Sequence, residues 1–313
     1  MATYNVAPFL SQAIRSVLGQ TLQNFEILVV DDGSTDGTVD IVRGFSDSRI
    51  CLSAFPHRGP AWVLNDGLEK ARGRYLALLD GDDVWARERL GKHVEYMDRH
   101  PDTDLTFSLS RFIDQNGADL GVTSRRSANP VSFRGLLEDN VIANGSAVLF
   151  RREAARQAGP FDTAMAACYD HDFWLRIALQ RPDNIHCIPE ILTFYRRRPG
   201  QITKDCRLMQ EMSSRLAEKF RAIRPEDVAA TDARRNCNLS RFLAAVSFDN
   251  GDYRAGIRYL REGMRRSPLA FLNNRRTYRV AAALAAGMLL PPFLLERVRH
   301  WDAGRASPVD IPV

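Results

Sequence analysis

The sequence is organised around residues 74–85, which run Arg74-Tyr75-Leu76-Ala77-Leu78-Leu79-Asp80-Gly81-Asp82-Asp83-Val84-Trp85. Residues 75–79 form a short apolar run after a Gly-Arg step, which is typical of a buried strand. The run ends in three carboxylates within four residues, and like charges that close are costly unless a positive group lies between them. A divalent cation is the usual partner, because hard cations take oxygen ligands and bridge to diphosphate oxygens. The stretch therefore predicts a strand that ends at a metal site, with a solvated acidic turn as the alternative.

Composition restricts the class of protein. The chain has 313 residues, 45% of them hydrophobic, which is enough for one large or two modest domains with a sizeable core. Its formal charge of +5 is uneven, with a net of −6 in residues 1–190 and +11 in residues 191–313. No nucleic-acid motif accompanies the basic part, so nucleic acid is not an expected partner.

The cysteines and the first residues predict the cellular compartment of the protein. Five cysteines without a C-x-x-C pair fit a reducing compartment rather than a disulfide framework or a zinc site. Residues 1–5 are neither basic nor followed by a long apolar run, so no signal peptide is expected. Together these observations predict a cytoplasmic protein, with contact at the inner face of the cell membrane left open.

Strand and helix patterns alternate through residues 1–85. Strands are predicted at residues 25–30, 50–54 and 75–79, and helices at residues 9–20, 39–45 and 61–71. The first of these strands ends in Asp31-Asp32-Gly33-Ser34-Thr35-Asp36-Gly37-Thr38, and open α/β sheets bind ligands at such carboxyl ends. A local Asx-turn with a helix N-cap explains the same residues, and one residue can serve both purposes. The alternation predicts a mostly parallel sheet covered by helices.

These residues resemble a family 2 glycosyltransferase with a GT-A fold. The resemblance lies in the order and spacing of several weak motifs over about 85 residues. They are Thr3-Tyr4-Asn5, Gln20-Thr21, Val30 to Thr38, His57-Arg58-Gly59, Asn65-Asp66-Gly67, Ala71-Arg72-Gly73-Arg74-Tyr75 and Leu79-Asp80-Gly81-Asp82-Asp83. The resemblance implies a Rossmann-like α/β domain that transfers a sugar from a nucleotide-diphosphate sugar with inversion.

One departure concerns the first strand. In the family the Thr-Tyr-Asn segment is the carboxyl end of the first, central strand, but only Met1 and Ala2 precede it here. We therefore expect this strand to be missing apart from its last residues. The accompanying hypothesis is that Met1 is an internal methionine of a longer natural product.

The resemblance also implies a donor site. Thr3, Tyr4, Asp32 and Arg58 would hold the nucleotide, Asp80 would reach the ribose, and Asp31 is a secondary candidate. A Mg²⁺ or Mn²⁺ ion would be held by Asp82, with Asp83 beside it, and would stabilise the charge on the departing diphosphate.

A second chemical element lies at residues 168–178, where Asp170 and Asp172 open an apolar helix. Carboxylates are favoured there by the helix dipole, so simple N-capping is the alternative to catalysis. The family pattern makes Asp170 the base that takes a proton from the acceptor hydroxyl, with Asp172 as a secondary candidate. Tyr169 stands where a Glu is usual, and His171 is a less favoured base.

Residues 188–203 resemble the family's terminal Tyr-Arg-x-His-x-Gly segment. Arg198 stands where a His is often found, and an arginine can contact diphosphate oxygens but cannot ligate a metal. Arg196 and Arg198 are therefore secondary site candidates, with a solvent-exposed basic turn as the alternative.

The remaining segments complete the predicted organisation. Residues 1–205 form the transferase domain, with a nucleotide-sugar half at 1–100 and an acceptor half at 101–205 that includes a mobile polar loop at 118–130. Residues 206–313 form a helical region with one tetratricopeptide-like helix pair at 242–268. Its uncharged stretch at 280–295 fits either a membrane-surface helix between arginines or a buried core helix.

The predicted function is metal-dependent glycosyl transfer to a glycan or lipid-linked acceptor. A nucleotidyltransferase would normally carry a Gly-rich phosphate loop, and a dinucleotide oxidoreductase would carry G-x-G-x-x-G, neither of which is found. The alternative to an active enzyme is a catalytically impaired or non-catalytic scaffold of the same fold, which would act through its helical tail.

Overall fold

The first strands form a parallel sheet, as the sequence predicts. The computed structural model describes residues 1–290. Its first elements are β1 (Ala2–Thr3), α1 (Ala7–Leu18), β2 (Ile27–Asp31), α2 (Thr38–Arg43), β3 (Ile50–Ala54), α3 (Pro60–Lys70) and β4 (Tyr75–Ala77). β1 pairs with β2 and β2 with β3, both in parallel. The carboxyl ends of these strands therefore meet at one edge.

The first central strand is present as the two residues of β1. The amide of Ala2 donates a hydrogen bond to the Leu79 carbonyl at 3.2 Å, and the amide of Gly81 donates to the Ala2 carbonyl at 3.0 Å. This parallel bridge between Ala2 and Asp80 joins the three-stranded sheet to the residues that follow β4. β1 consequently lies between the end of β2 and the acidic residues 80–83.

A cavity of about 630 Å³ lies beside β1, between β2, α3 and β4. Most of its lining is apolar and includes Leu28, Val63, Leu68, Leu76 and Leu149. The lining also includes residues 24–26 and 71–74, which precede β2 and β4. The cavity therefore extends toward the amino ends of these strands, away from the acidic turn.

The second sheet has six strands and is mixed. The next elements are β5 (Val84–Trp85), α4 (Arg89–Arg99), β6 (Leu105–Ile113), β7 (Asp119–Thr123), β8 (Val148–Arg151), α6 (Arg152–Ala158), α7 (Tyr169–Ala178) and β9 (Ile185–Arg196). The strand order is β4-β8-β6-β9-β5, with β7 paired to β6. Only β6 and β9 are parallel among these described pairs. The predicted parallel arrangement thus describes the first sheet but not the second.

The predicted mobile loop at 118–130 is wrong for residues 119–123, which form β7. Asp114 organises the preceding turn, since its Oδ1 accepts hydrogen bonds from the amides of Asn116 and Ala118, both at 2.8 Å. Gly117 has a φ of 89°, the left-handed conformation that such turns require. The turn chemistry closes a β-hairpin even though the returning strand is polar.

The apolar faces of the first helices build the core of this part. Leu10, Ile14 and Val17 of α1 are at most 5% exposed. They belong to one cluster with Val29 of β2 and Leu79. Packing of α1 therefore supports both β2 and the start of the acidic turn.

The chain divides into two compact units. Among the described residues, the first unit comprises residues 1–132 and 141–197, and the second comprises residues 133–140 and 198–290. The second unit contains α5 (Phe133–Glu138), α8 (Cys206–Arg221), α9 (Pro225–Asp249), α10 (Tyr253–Arg266), α11 (Pro268–Leu272) and α12 (Arg275–Leu289). The split after Arg197 lies a few residues before the boundary at 205 that the sequence suggests.

The helix pair expected at 242–268 corresponds to the end of α9 and to α10. Gly251, with a φ of 77°, forms the turn, and the Asp252 side chain caps α10 through the Ala255 amide at 2.9 Å. Of the apolar stretch at 280–295, residues 280–289 continue α12, and residues 291–295 lie outside the described residues. Across residues 1–290, every helix is too short or too polar to span a bilayer.

Candidate active site

Asp80, Asp82 and Asp83 form a tight turn that ends the β4 segment against β1. The amide of Asp83 donates to the Asp80 carbonyl at 3.1 Å, and the amide of Asp80 donates to the Ser146 hydroxyl oxygen at 3.0 Å. A Cβ on Gly81 would lie 2.9 Å from side-chain carbons of both Thr3 and Val6. Only glycine lets the turn approach β1 this closely.

The three carboxylates of this turn differ in environment. Asp83 is fully buried, and its Oδ1 accepts a hydrogen bond from the Arg196 amide at 2.8 Å. Burial raises the pKa of Asp83 well above its usual value, and the charges of Asp82 and Asp80 raise it further. Asp82 is 6% exposed and Asp80 is half-buried. Asp83 is thus held inside the turn, and Asp80 is its most accessible carboxylate.

The oxygen atoms of this turn decide whether it can bind a divalent cation. Within residues 1–290, His, Cys, Asp and Glu side chains form no cluster of three or more that could hold a metal ion by itself. The turn does supply hard carboxylate oxygens, and the Oδ2 atom of Asp83 is buried without a hydrogen-bond partner. Mg²⁺ is often bound by one or two carboxylates together with substrate phosphates. The turn fits such a cation if a diphosphate completes the ligand shell.

Asp31 and Asp32 lie at the carboxyl end of β2 and organise the loops around them. Asp31 Oδ1 accepts from the amides of Gly33 and Ser34 at 3.1 and 2.9 Å, and Oδ2 accepts from the Thr3 hydroxyl at 3.0 Å. Asp32 accepts from the amides of Arg58 and Gly59 at 2.7 and 2.9 Å. Both carboxylates are buried, so in this structure they hold the backbone of the predicted nucleotide site.

The exposed groups at this edge are aromatic and basic. Tyr4 is 45% exposed and stacks on the His57 ring, with 4.4 Å between ring centroids. His57 Nδ1 lies 2.9 Å from Asp32 Oδ2. The exposed Arg58 guanidinium lies 4.4 Å from the Trp62 ring. Flat rings and a guanidinium at the ends of parallel strands are suited to a nucleotide.

Asp170 lies in the first turn of α7. Cys168, with a φ of 58°, precedes the helix, and Asp170 Oδ1 accepts from the His171 amide at 2.7 Å. Burial raises the pKa of Asp170 above its usual value, while the His171 amide and charge oppose this shift. A carboxylate with a raised pKa is a stronger base than an ordinary aspartate.

Tyr169 links Asp170 to the acidic turn. Burial raises the pKa of Tyr169 well above its usual value, and neighbouring negative charges raise it further. These charges include Asp80, Asp170 and Asp82. The carboxylates from the end of β4 and from α7 therefore share one electrostatic neighbourhood around the Tyr169 hydroxyl.

Asp172 has a different environment from Asp170. It is fully buried, and its Oδ2 accepts from Arg176 Nε at 2.9 Å, one helical turn away. Arg176 also donates to the Ala158 carbonyl. This buried ion pair ties α7 to the end of α6.

Arg196 and Arg198 also differ from each other. Arg196 is 2% exposed, and its guanidinium donates to the carbonyl oxygens of Asp82 and Asp114 at 2.7 and 3.1 Å. Arg198 begins the second unit, where its amide donates to Gln201 Oε1 at 3.2 Å.

Ser146 and Gln12 are residues that sequence reasoning missed. Ser146 is fully buried, its hydroxyl accepts from the Asp80 amide, and its effect lowers the pKa of Asp83 against the larger effect of burial. Gln12 Oε1 accepts from Arg196 at 2.7 Å. Neither residue lies in a motif that carries chemistry, so the sequence offered no signal for them. His57 lies within the His57-Arg58-Gly59 motif, and its aromatic ring is the available sequence signal.

Comparison with known proteins is consistent with this geometry. The protein-family model for Glycosyl transferase family 2 matches residues 1–159. The glucosyltransferase WfaP of Escherichia coli, named UDP-Glc:alpha-D-GlcNAc-diphosphoundecaprenol beta-1,3-glucosyltransferase, is 29% identical over 205 residues. That alignment covers 65% of this chain and 78% of the relative.

Two solved structures share the fold. S. aureus TarS 1-349 in complex with UDP-GlcNAc matches with a TM-score of 0.55 and 20% identity, over 99% of this chain and 93% of TarS 1-349. The mannosyltransferase PcManGT of Pyrobaculum calidifontis, in complex with GDP-Man and Mn²⁺, matches with a TM-score of 0.58 and 20% identity, over 96% and 82% of the two chains. The predicted GT-A-type α/β fold is confirmed. Because the family match spans more than half of the 313 residues, this chain belongs to glycosyl transferase family 2.

Proposed function

We propose that this glycosyltransferase moves a sugar from a nucleotide-diphosphate sugar to an acceptor hydroxyl with inversion, using Asp170 as the general base. The observation that carries the proposal is the family match over residues 1–159, together with the turn of three carboxylates that ends the β4 segment. The joint effect of Asp80, Asp82 and Asp170 on the pKa of Tyr169 supports the assignment of Asp170 to the same site. A donor with its diphosphate at the acidic turn would place its anomeric carbon near Asp170. A base on the side opposite the leaving group is what an inverting displacement needs.

The donor would be held by groups at the carboxyl ends of the strands. The exposed Tyr4, His57 and Arg58 would contact the nucleotide, while Asp31 and Asp32 keep its loops in place. Asp80 would reach the ribose, and Asp82 would hold a Mg²⁺ or Mn²⁺ ion shared with the diphosphate. A bound divalent cation supplies charge stabilisation for the departing diphosphate.

The acceptor would be a glycan or a lipid-linked sugar. Support comes from the WfaP relative, whose name describes transfer to a sugar on diphosphoundecaprenol. Contact with an anionic membrane surface through the arginine-rich second unit belongs to the same proposal.

The first test separates the roles of Asp170 and Asp82. Purified protein would be offered UDP-Glc, UDP-GlcNAc and GDP-Man with Mn²⁺ or Mg²⁺, and donor affinity would be measured by calorimetry. Asp170→Asn should keep donor affinity and lose transfer by about 10²–10⁴-fold, because only the proton acceptor is removed. Asp82→Ala should weaken donor binding only when the metal ion is present.

Two outcomes would contradict these roles. Equal loss of donor affinity in both variants would make Asp170 a binding residue rather than the base. A product that retains the donor's anomeric configuration, read by NMR, would exclude a single displacement. If no donor binds or is consumed, the non-catalytic scaffold would be the better interpretation.

A further inference from the structure

Arg196, the last residue of β9, is an unusually buried cation. Only 2% of its surface is exposed, and burying a guanidinium is costly unless its N–H groups meet acceptors. Its Nε donates to the Asp82 carbonyl at 2.7 Å, and its two terminal nitrogens donate to Asp114, Gln115 and Gln12. The side chain is thus occupied by oxygens of the protein rather than directed at solvent.

The partners of Arg196 belong to three separate segments. Asp82 is in the acidic turn, Asp114 and Gln115 form the turn between β6 and β7, and Gln12 lies on α1. The Phe9 ring, also on α1, lies 5.0 Å from the guanidinium. One side chain therefore fixes the acidic turn to two neighbouring elements.

Arg196 contacts both residues of the Asp82–Asp83 dipeptide. Its guanidinium holds the carbonyl of Asp82, and its own amide donates to the Asp83 carboxylate at 2.8 Å. The orientation of the Asp82 side chain depends on the backbone between these two bonds. A lysine would keep the positive charge but could not reproduce the planar fork that reaches several carbonyls at once.

We propose that Arg196 is a positioning residue, which sets the backbone of the acidic turn so that Asp82 can share a divalent cation with the donor diphosphate. This inference rests on the proposed function. It differs from the role suggested by sequence, since Arg196 would act through Asp82 without touching the diphosphate itself.

The chain offers a matched control in Arg151, the last residue of β8. Its guanidinium also donates to main-chain carbonyls, those of Thr103, Met97 and His100, at 2.7 to 3.2 Å. None of these partners belongs to the acidic turn. Replacement of Arg151 by lysine therefore measures how the loss of a strand-end arginine affects UDP affinity when no contact with the acidic turn is removed.

The test compares the affinity for UDP with and without Mn²⁺ in Arg196→Lys, Arg151→Lys and the unsubstituted full chain. Arg196→Lys should weaken Mn²⁺-dependent UDP binding by about 10–100-fold, as for other residues that orient metal ligands, and leave metal-free UDP binding unchanged. Arg151→Lys should change neither affinity. Gln12→Leu, which keeps the guanidinium, should show a smaller loss in the same direction and covers the case in which Arg196→Lys fails to fold.

The outcomes separate this inference from the proposed function. If Arg196→Lys, Arg151→Lys, Gln12→Leu and the unsubstituted chain all bound UDP with the same Mn²⁺-dependent affinity, the role of Arg196 would be overturned. The proposed function would then still stand. Equal weakening of UDP binding with and without Mn²⁺ in Arg196→Lys would also overturn the role of Arg196. Absence of any Mn²⁺ effect in the unsubstituted chain would overturn the proposed metal dependence, and this inference with it.

Discussion

Ser146 is, besides Arg196, a second residue that supports the acidic turn. Its hydroxyl accepts from the Asp80 amide at 3.0 Å and opposes the rise that burial causes in the pKa of Asp83. Its carbonyl accepts from Trp85 Nε1 at 2.8 Å. One small hydroxyl therefore satisfies the Asp80 amide and also acts on Asp83, within a region where unmet hydrogen bonds are costly.

Replacing Ser146 by alanine should destabilise the fold by about 1–3 kcal/mol, because the Asp80 amide loses its hydrogen-bond acceptor. The measurement is the free energy of unfolding in urea. Ser108→Ala is the control, since Ser108 is 2% exposed but makes only a 3.4 Å contact with Thr193. A loss in Ser146→Ala no larger than in the control would show that the hydroxyl is dispensable.

The same variant has a predicted pH dependence. The pKa of Asp83 is raised in the folded state, so protonation favours folding, and the free energy of unfolding falls as pH rises through that pKa. Ser146 lowers the pKa of Asp83, so it stabilises the ionised carboxylate more than the neutral acid. The difference between Ser146→Ala and the unsubstituted protein should therefore shrink as pH falls below the folded pKa of Asp83. A constant difference across pH would place the effect elsewhere.

At the scale of single residues, the sequence suggests candidates for the chemistry but not the residues that support them. Asp80, Asp82 and Asp170 are predicted site residues because carboxylates at a strand end and at a helix start form a recognisable pattern. The roles of Ser146 and Arg196 depend on contacts between positions 50 or more residues apart, such as Arg196 with Asp82. Hydrophobic periodicity and turn chemistry act over a few residues and contain no information about such pairs.

Among the elements, α10 packs unusually closely through its glycines. A Cβ on Gly263 would lie 2.5 Å from Phe271 Cε2 and 2.9 Å from Ser240 Cβ. Phe271 and Ser240 are buried, at 2% and 6% exposure, so neither can move aside freely. The glycine lets α10 approach both α9 and α11.

Gly263→Ala should therefore destabilise the protein, although alanine is the better helix former by about 1 kcal/mol. Overpacking of this kind costs about 1–3 kcal/mol. Gly67→Ala in α3 is the matched control, because its nearest contact would be Val30 Cγ2 at an ordinary 3.9 Å, and it should be neutral or stabilising. Thermal unfolding measures both, and a higher melting temperature in Gly263→Ala would contradict the close packing.

The elements also show where local patterns mislead. Helices with clear apolar faces, such as α1 and α3, lie within two residues of their predicted bounds at each end. The composition of β7 predicts a loop, because its five residues, Asp119–Thr123, contain only two large apolar side chains. The alternation in residues 1–85 predicts the parallel pairs of the first sheet but not the pairing direction in the second, since pairing is decided by partners distant in sequence.

On the scale of the whole molecule, the two units do not follow the order of the chain. α5 interrupts the first unit in sequence but packs within the second. Its Leu136 and Leu137 are at most 1% exposed. Hydrogen bonds add to this packing; in one of them Asn238 Nδ2 donates to the Glu138 carbonyl at 2.7 Å. A domain boundary drawn from composition alone could not assign α5 to the second unit, because the composition of α5 resembles that of the helices around it.

This arrangement predicts that α5 loses its protection together with α9 and α10. Hydrogen–deuterium exchange by mass spectrometry on full-length Gly263→Ala should show faster exchange in residues 133–138 as well as in α9 and α10, because all of them depend on the packing of the second unit. β6 and β8, strands of the first unit that lie before and after α5 in sequence, should exchange at unchanged rates. Gly67→Ala should leave residues 133–138 unaffected. If residues 133–138 kept the rate of β6 and β8 while α9 and α10 opened, α5 would belong to the first unit in solution.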